Sequence, residues 1–155
     1  CGDDAMTPAI RRELLSMPGN DACADCGAPG PEWASASLGL VLCLRCAGLH
    51  RGLGTHCSFV RSLVGDNWKE SQIRAMRRGG NARLRSAFER AGLPPHLERL
   101  PPAAGQGPSY VREKYNSNLA AAMREYIAGE EASPEPRLPP YDASAAALAE
   151  EAARR

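Results

Sequence analysis

Four cysteines set the chemistry this chain can do. Cys23 and Cys26 are separated by two residues, Cys43 and Cys46 likewise, and sixteen residues lie between the pairs. Each C-x2-C turn brings two sulfurs to one side of a tight knuckle, so two knuckles can direct four thiolates at one zinc ion. Gly27 follows the first pair and Gly48 the second, where positive φ or close packing would exclude a Cβ. The same four residues could instead form two disulfides or redox pairs. The chain has no signal-peptide pattern and no thioredoxin-like strand–helix frame around either pair, so a structural zinc is the expectation. A closed four-cysteine set leaves no open coordination position for water, which makes the metal a clamp and not a Lewis acid. His50, four residues after Cys46, is either an alternative ligand or a packed, hydrogen-bonded histidine. There is no paired-carboxylate signature, G-x-S-x-G, P-loop or dinucleotide fingerprint to support another reaction.

Arg51 lies five positions after the last cysteine of the set. Residues 44–53 read as a helix with an inward stripe of Cys46, Leu49 and Leu53, ended by Gly54. At 3.6 residues per turn, Arg51 falls about 140° round from Cys46 and about 160° from Leu49 and Leu53, so its guanidinium should point outward.

The surrounding elements follow from local pattern. Thr7-Pro8 starts a helix carrying Ile10, Leu14 and Met17, which stops at Pro18-Gly19. Residues 31–35 and 39–42 form two strand-like runs paired by a turn at 36–39, and 57–63 can add a third strand. Asp66 is expected to cap a helix with Trp68, Ile73 and Met76, broken at Gly79-Gly80. Asn81 is expected to cap the next, with Leu84, Ala87, Phe88 and Ala91 on one face until Gly92. A long loop over 93–109 precedes one substantial helix capped by Ser109, with Tyr115, Leu119, Ala122, Met123 and Tyr126 as its stripe and Gly129 as its stop. Residues 130–141 read as a proline-rich linker with no reason to fold alone, and the Ala-rich tail from Asp142 is helical by propensity. The division is therefore an N-terminal extension at 1–6, a zinc-finger domain at 7–129, and a linker and tail at 130–155. Residues 1–5 are set apart from the fold.

Across 155 residues, 43% are hydrophobic and 5% aromatic, so a metal that supplements a modest core makes physical sense. Nothing in the sequence is long and apolar enough to span a membrane. Net charge is only +1, which argues against a dedicated nucleic-acid domain. The distribution is uneven: residues 61–90 carry eight Arg or Lys against three acids, and 130–153 carry six acids against Arg137 alone. The basic stretch is either a face for an anionic partner or a solvated helix surface.

The pattern Cys-x2-Cys-x16-Cys-x2-Cys-x4-Arg, with CGA after the first pair, P-x-WAS between the pairs and HRGLG after the second, closely resembles the GTPase-activating domain of Arf GAP proteins. The likeness continues through SFVRSL, Asp66-x-Trp68, Gly79-Gly80-Asn81-Ala82 and EKYNS at 113–117, and covers roughly residues 7–128. The SFVRS, GGNA and EKYNS pieces look most like the Golgi-type branch. This resemblance implies an α+β fold, a small three-stranded sheet with a four-cysteine zinc site surrounded by about five helices. It implies binding to an Arf-family small GTPase in its GTP form, with Arg51 as an arginine finger inserted in trans. Trp33 matches the family's tryptophan near that arginine, as a positioning or partner-contacting residue or simply a packed aromatic. A cytoplasmic monomer acting peripherally at Golgi membranes, with coat proteins as further partners, completes the expectation.

The chain departs from the family pattern in its longer, proline-rich loop at 93–109 and at Cys57, where a larger hydrophobic residue is usual. The tail after 129 has no clear counterpart, and no lipid-packing helix is visible. Two alternatives stand beside this reading. A GATA-like DNA-binding finger also has two C-x2-C pairs with a tryptophan between, but it predicts a basic hairpin, and residues 27–42 contain no Arg or Lys. A catalytically silent Arf-binding scaffold is the other.

Overall fold

The computed structural model describes residues 3–4, 6–101, 105–129 and 135–144. Its centre is an antiparallel sheet of three short strands, β2 (Trp33–Ser35), β3 (Leu40–Leu42) and β4 (Val60–Ser62), in the order β3-β2-β4. Trp33 pairs with Leu42 on one side and with Ser62 on the other. A second, two-residue ladder joins β1 (Asp3–Asp4) to β5 (Trp68–Lys69), so part of the segment the sequence reading set apart runs alongside the fold.

Among the described residues six α-helices surround the sheet: α1 (Pro8–Leu15), α2 (Leu44–Arg51), α3 (Glu70–Arg78), α4 (Asn81–Arg90), α5 (Gly107–Tyr115) and α6 (Asn118–Ala128). Their starts reflect local chemistry. Thr7 Oγ1 accepts from the Ile10 amide at 3.1 Å, and Ser117 Oγ accepts from the Ala120 amide at 3.2 Å.

Because side chains alternate across a strand, the sheet separates two cores. Leu40 and Leu42 face the larger one, with Phe88, Tyr115, Leu119 and Met123. Ala34 and Val41 face the smaller one, with Leu14, Leu63, Trp68, Ile73 and Met76. All three residues of β3 are buried, since helices cover both faces. At the hairpin turn Gly39 has φ +71°, and a Cβ there would lie 2.8 Å from the Cα of Gly79. The turn thus rests directly on the α3–α4 junction, where Gly80 N–H donates to Gly39 C=O at 2.8 Å.

Several expectations are corrected. Asp66 does not cap a helix: its Oδ2 accepts from the Ser62 amide at 2.7 Å and closes the β4–β5 turn, while Trp68 is a strand residue. Helix α3 starts later, where Gln72 Oε1 accepts from the Lys69 amide at 2.9 Å. Gly80, at φ +108°, occupies the cap position expected for Asn81, which is freed for another task. Its buried amide accepts from Val41 N–H at 3.0 Å and donates to Val41 C=O at 3.3 Å and Ala22 C=O at 2.8 Å. It therefore completes the open edge of β3 much as another strand would.

The single helix expected after residue 109 is two. Helix α5 begins at Gly107, Ser109 Oγ merely donates to Gln106 C=O, and the chain breaks at Asn116–Ser117 before α6. Competition from Ser117, a strong cap, outweighs a hydrophobic stripe that is continuous in sequence. The linker also differs from expectation. Pro136 is buried, and Leu138 and Tyr141 pack against the larger core. Residues 143–144 are helical, and the remainder of the expected tail helix falls outside the described residues.

Candidate metal centre and the arginine beside it

The first knuckle is a turn in which Gly27 N–H donates to Cys23 C=O at 3.0 Å and Cys23 N–H to Ala28 C=O at 2.8 Å. The second comes from the end of β3 and the first turn of α2, with Cys43 as the helix cap: its Sγ accepts from the Cys46 amide at 3.4 Å. The hairpin thus delivers the second pair to the first. All four sulfurs lie within 4.8 Å of one another, and those of Cys26 and Cys43 are 3.6 Å apart. A tetrahedron built on metal–sulfur bonds of about 2.3 Å has sulfur–sulfur edges of about 3.8 Å. These residues fit a single tetrahedral ion, and all four are free thiols, not disulfide partners. The Cys23 thiol is drawn down to about 5, chiefly by its hydrogen bond with Cys46 and against the effect of burial. The same bond raises the Cys46 thiol in turn. Cys57 stays outside the cluster, buried in the larger core.

His50 is no fifth ligand. Its ring is fully buried and held at both nitrogens, Nε2 2.8 Å from Asp25 Oδ2 and Nδ1 2.8 Å from Ser58 Oγ. Ser58 Oγ in turn lies 2.7 Å from Ser35 Oγ on β2. Asp25, inside the first knuckle, also accepts from Tyr115 Oη at 2.5 Å and faces Lys114 Nζ at 3.5 Å. Burial would raise the Asp25 carboxyl, but Lys114, His50 and Tyr115 together hold it below the ordinary carboxylate range. Burial acts on Lys114 in the opposite sense and lowers it, while Asp25 offsets part of that shift. A charged network therefore ties the knuckle to α2, β2 and α5.

This network explains a correction in α2. Its buried line is Cys46, Ala47 and His50, continued by Leu53 beyond the helix end at Arg51, while Leu49 is only half-buried. Hydropathy favours Leu49 over a histidine, yet a histidine bonded at both nitrogens costs little to bury. His50 is the packed, hydrogen-bonded histidine of the two expected readings, and Asp25, inside the first knuckle, is the neighbour its position could have flagged. Lys114 and Tyr115, about ninety residues from Asp25, carried no such signal.

Arg51 is exposed, as its helical phase requires. Its guanidinium carbon sits 4.7 Å from the centre of the half-buried Trp33 ring, a cation–π contact, and no carboxylate pairs with it among the described residues. Leu44, Gly48 and Arg51 lie on one face of α2, four and then three residues apart. Leu44 is 66% exposed, and a Cβ added at Gly48 would meet nothing within 4 Å. A cation with no carboxylate partner among the described residues, an exposed leucine and a bare stretch of backbone thus share one open surface anchored by the four-cysteine cluster.

Comparison with known proteins fits this architecture. The chain belongs to the ArfGap family, whose defining pattern, described as "Putative GTPase activating protein for Arf", matches residues 9–124. It is 42% identical over 120 residues to rat ADP-ribosylation factor GTPase-activating protein 3, covering 77% of this chain and 20% of that protein. To the Saccharomyces cerevisiae ADP-ribosylation factor GTPase-activating protein GCS1 it is 46% identical over 90 residues, 56% of this chain and 26% of the relative. The chain thus spans about a fifth to a quarter of these two relatives. Among solved structures, a Cryptosporidium parvum protein titled "putative GTPase activating protein for ADP ribosylation factor" superposes with a TM-score of 0.61 at 27% identity, covering 81% of this chain and 93% of that one. The solution structure of the ArfGap domain of human RIP shares the fold, with a TM-score of 0.59 at 18% identity over 87% of this chain and 97% of that one. The DNA-binding-finger alternative has no support here.

Proposed function

We propose that this chain is a GTPase-activating domain for Arf-family small GTPases in their GTP form, of the Golgi-type branch, with Arg51 as an arginine finger supplied in trans. One observation carries the reading: a cation without a carboxylate partner among the described residues, outward on a short helix whose cap and first turn hold two of the four clustered cysteines. Hydrolysis of the γ-phosphate spreads negative charge over its oxygens in the transition state, and an always-charged planar guanidinium meets that charge with several donors. Trp33 holds the guanidinium near the surface until a stronger anionic partner arrives. His50, the residue before Arg51, fixes the last turn of α2 through Asp25 and Ser58. The GTP and its magnesium belong to the partner, so this chain is an activator and not an enzyme in the strict sense.

The metal is zinc, since a set of four thiolates at these distances suits it, and its role is structural. Residues 7–129 form the activating domain, with 1–6 as an extension and 130–155 as linker and tail. Its place is cytoplasmic and peripheral, at Golgi membranes in vesicle coat cycling, where coat proteins are further partners and the domain acts as a monomer.

Single-turnover GTP hydrolysis by a purified Arf-family GTPase tests the reading, with the parent chain and Arg51→Lys after confirming one zinc per chain in each. The parent should accelerate hydrolysis by about 10³–10⁵, and the folded variant should lose nearly all of it. Equal acceleration by both would end the finger assignment. Activity of neither against a competent GTPase would leave the silent-scaffold alternative in its place.

A further inference from the structure

We propose that the surface between the end of α4 and the start of α6 is a binding site for proline-rich, non-helical peptide segments, occupied here in cis by residues 135–142. The proposal does not depend on the GTPase reading. It rests on how the segment is held.

Asn118, at the first position of α6, brackets Tyr141: its Nδ2 donates to Pro140 C=O at 2.8 Å and its Oδ1 accepts from the Asp142 amide at 2.9 Å. Between them, the Tyr141 amide donates to Ala91 C=O at 2.8 Å, a carbonyl at the end of α4 that the helix itself leaves without a partner. Three successive residues are thus gripped through their main chain, and the packed Leu138 and Tyr141 side chains add to that affinity.

Selectivity comes from what surrounds the grip. Leu138 and Tyr141 are partly buried against the larger core and Pro136 is buried, while Glu135 lies 3.5 Å from Arg90. Pro136, Pro139 and Pro140 restrict the residues before them to extended conformations, which lowers the entropy lost on docking. The fitting ligand is an acidic residue, a proline, one solvent-facing position, an aliphatic residue, a proline pair and an aromatic ring. A cleft of about 590 Å³ lies between Ala87, Arg90 and Ala91 at the end of α4 and residues 135–138. A segment tethered to its own site is present at an effective concentration in the millimolar range, so a partner peptide must displace it.

The test uses the full chain and a fluorescein-labelled peptide of residues 135–144, followed by anisotropy. A chain carrying Leu138→Ser and Tyr141→Ser should bind the peptide saturably and at least tenfold more tightly than the parent, and adding Asn118→Leu should abolish that binding. Absence of saturable binding by the released chain, or binding indifferent to Asn118, overturns the proposal. Should the double variant not fold, the parent serves: excess unlabelled peptide should shift the Asn118 side-chain amide resonances and speed hydrogen exchange at the Tyr141 and Asp142 amides of the chain's own segment. No shift at millimolar peptide overturns the proposal equally.

Discussion

The two cores flanking the sheet are held by different physics. The smaller, between the sheet and helices α1 and α3, is an ordinary hydrophobic cluster around Leu14, Val41, Trp68 and Met76. The larger contains Cys23 and Cys46 of the four-cysteine cluster and borders a buried charged network centred on Asp25. Burying three ionisable groups is a poor route to stability in itself, because desolvation offsets much of their attraction. Their value lies in geometry, since Asp25 and His50 connect the thiolate cluster to the residue preceding Arg51. The apolar core provides a platform, and under the proposed function the polar one aims Arg51.

Removing the metal should split the two most sharply. Structural zinc contributes on the order of 10–16 kcal/mol of binding free energy that appears as folding free energy. With a strong chelator, amide hydrogen exchange should rise across residues 22–29 and α2, while α1 and α3 retain protection. Simultaneous loss everywhere would show that the cores are one cooperative unit.

Asp25→Asn should come next. It leaves Lys114 buried without its counter-charge, and breaking such a pair by removing one partner costs about 3–5 kcal/mol. Chemical denaturation should register that loss with the metal still bound at saturating zinc. Activation should fall by more than the unfolded fraction explains, because the charge-assisted Asp25–His50 bond that anchors the last turn of α2 is weakened. Full activity in the folded fraction would reduce the network to a purely structural one.

Trp68→Phe probes the other core. Trp68 is fully buried and its Nε1 donates to Ser62 C=O at 2.8 Å. Phenylalanine keeps most of the apolar contact but leaves a carbonyl unpaired, for about 1–3 kcal/mol. Stability should drop with single-turnover acceleration unchanged once folding is accounted for. A drop in acceleration instead would mean that the apolar core also positions Arg51.

The same contrast governs what was legible in sequence. The metal site, the hairpin and the outward phase of Arg51 rest on spacings of under thirty residues, where turn geometry and helical period leave few choices. Asn81 illustrates the opposite. Its type suggested a helix cap, but its partners lie at Val41 and Ala22, and only the completed sheet edge reveals the demand it meets. Likewise Asp66 serves a turn four residues back because Ser62 offers an unpaired amide there. Polar residues with several possible partners are assigned by tertiary context, whereas cysteines at knuckle spacing are not.

The smallest effect concerns Gly48. In the middle of an exposed helical face, glycine costs about 0.5–1 kcal/mol relative to alanine. Nothing in the chain itself requires it, since a Cβ there meets no atom within 4 Å. Gly48→Ala should therefore stabilise the domain by that amount in thermal or chemical unfolding. If Leu44, Gly48 and Arg51 form the surface on which a GTPase seats, the bare backbone lets the partner approach closely. Gly48→Leu should then raise the concentration needed for half-maximal activation while leaving the maximal single-turnover rate nearly unchanged. A stabilised Gly48→Leu domain with unaltered concentration dependence would place the docking surface elsewhere and leave Arg51 to reach the nucleotide from another side of α2.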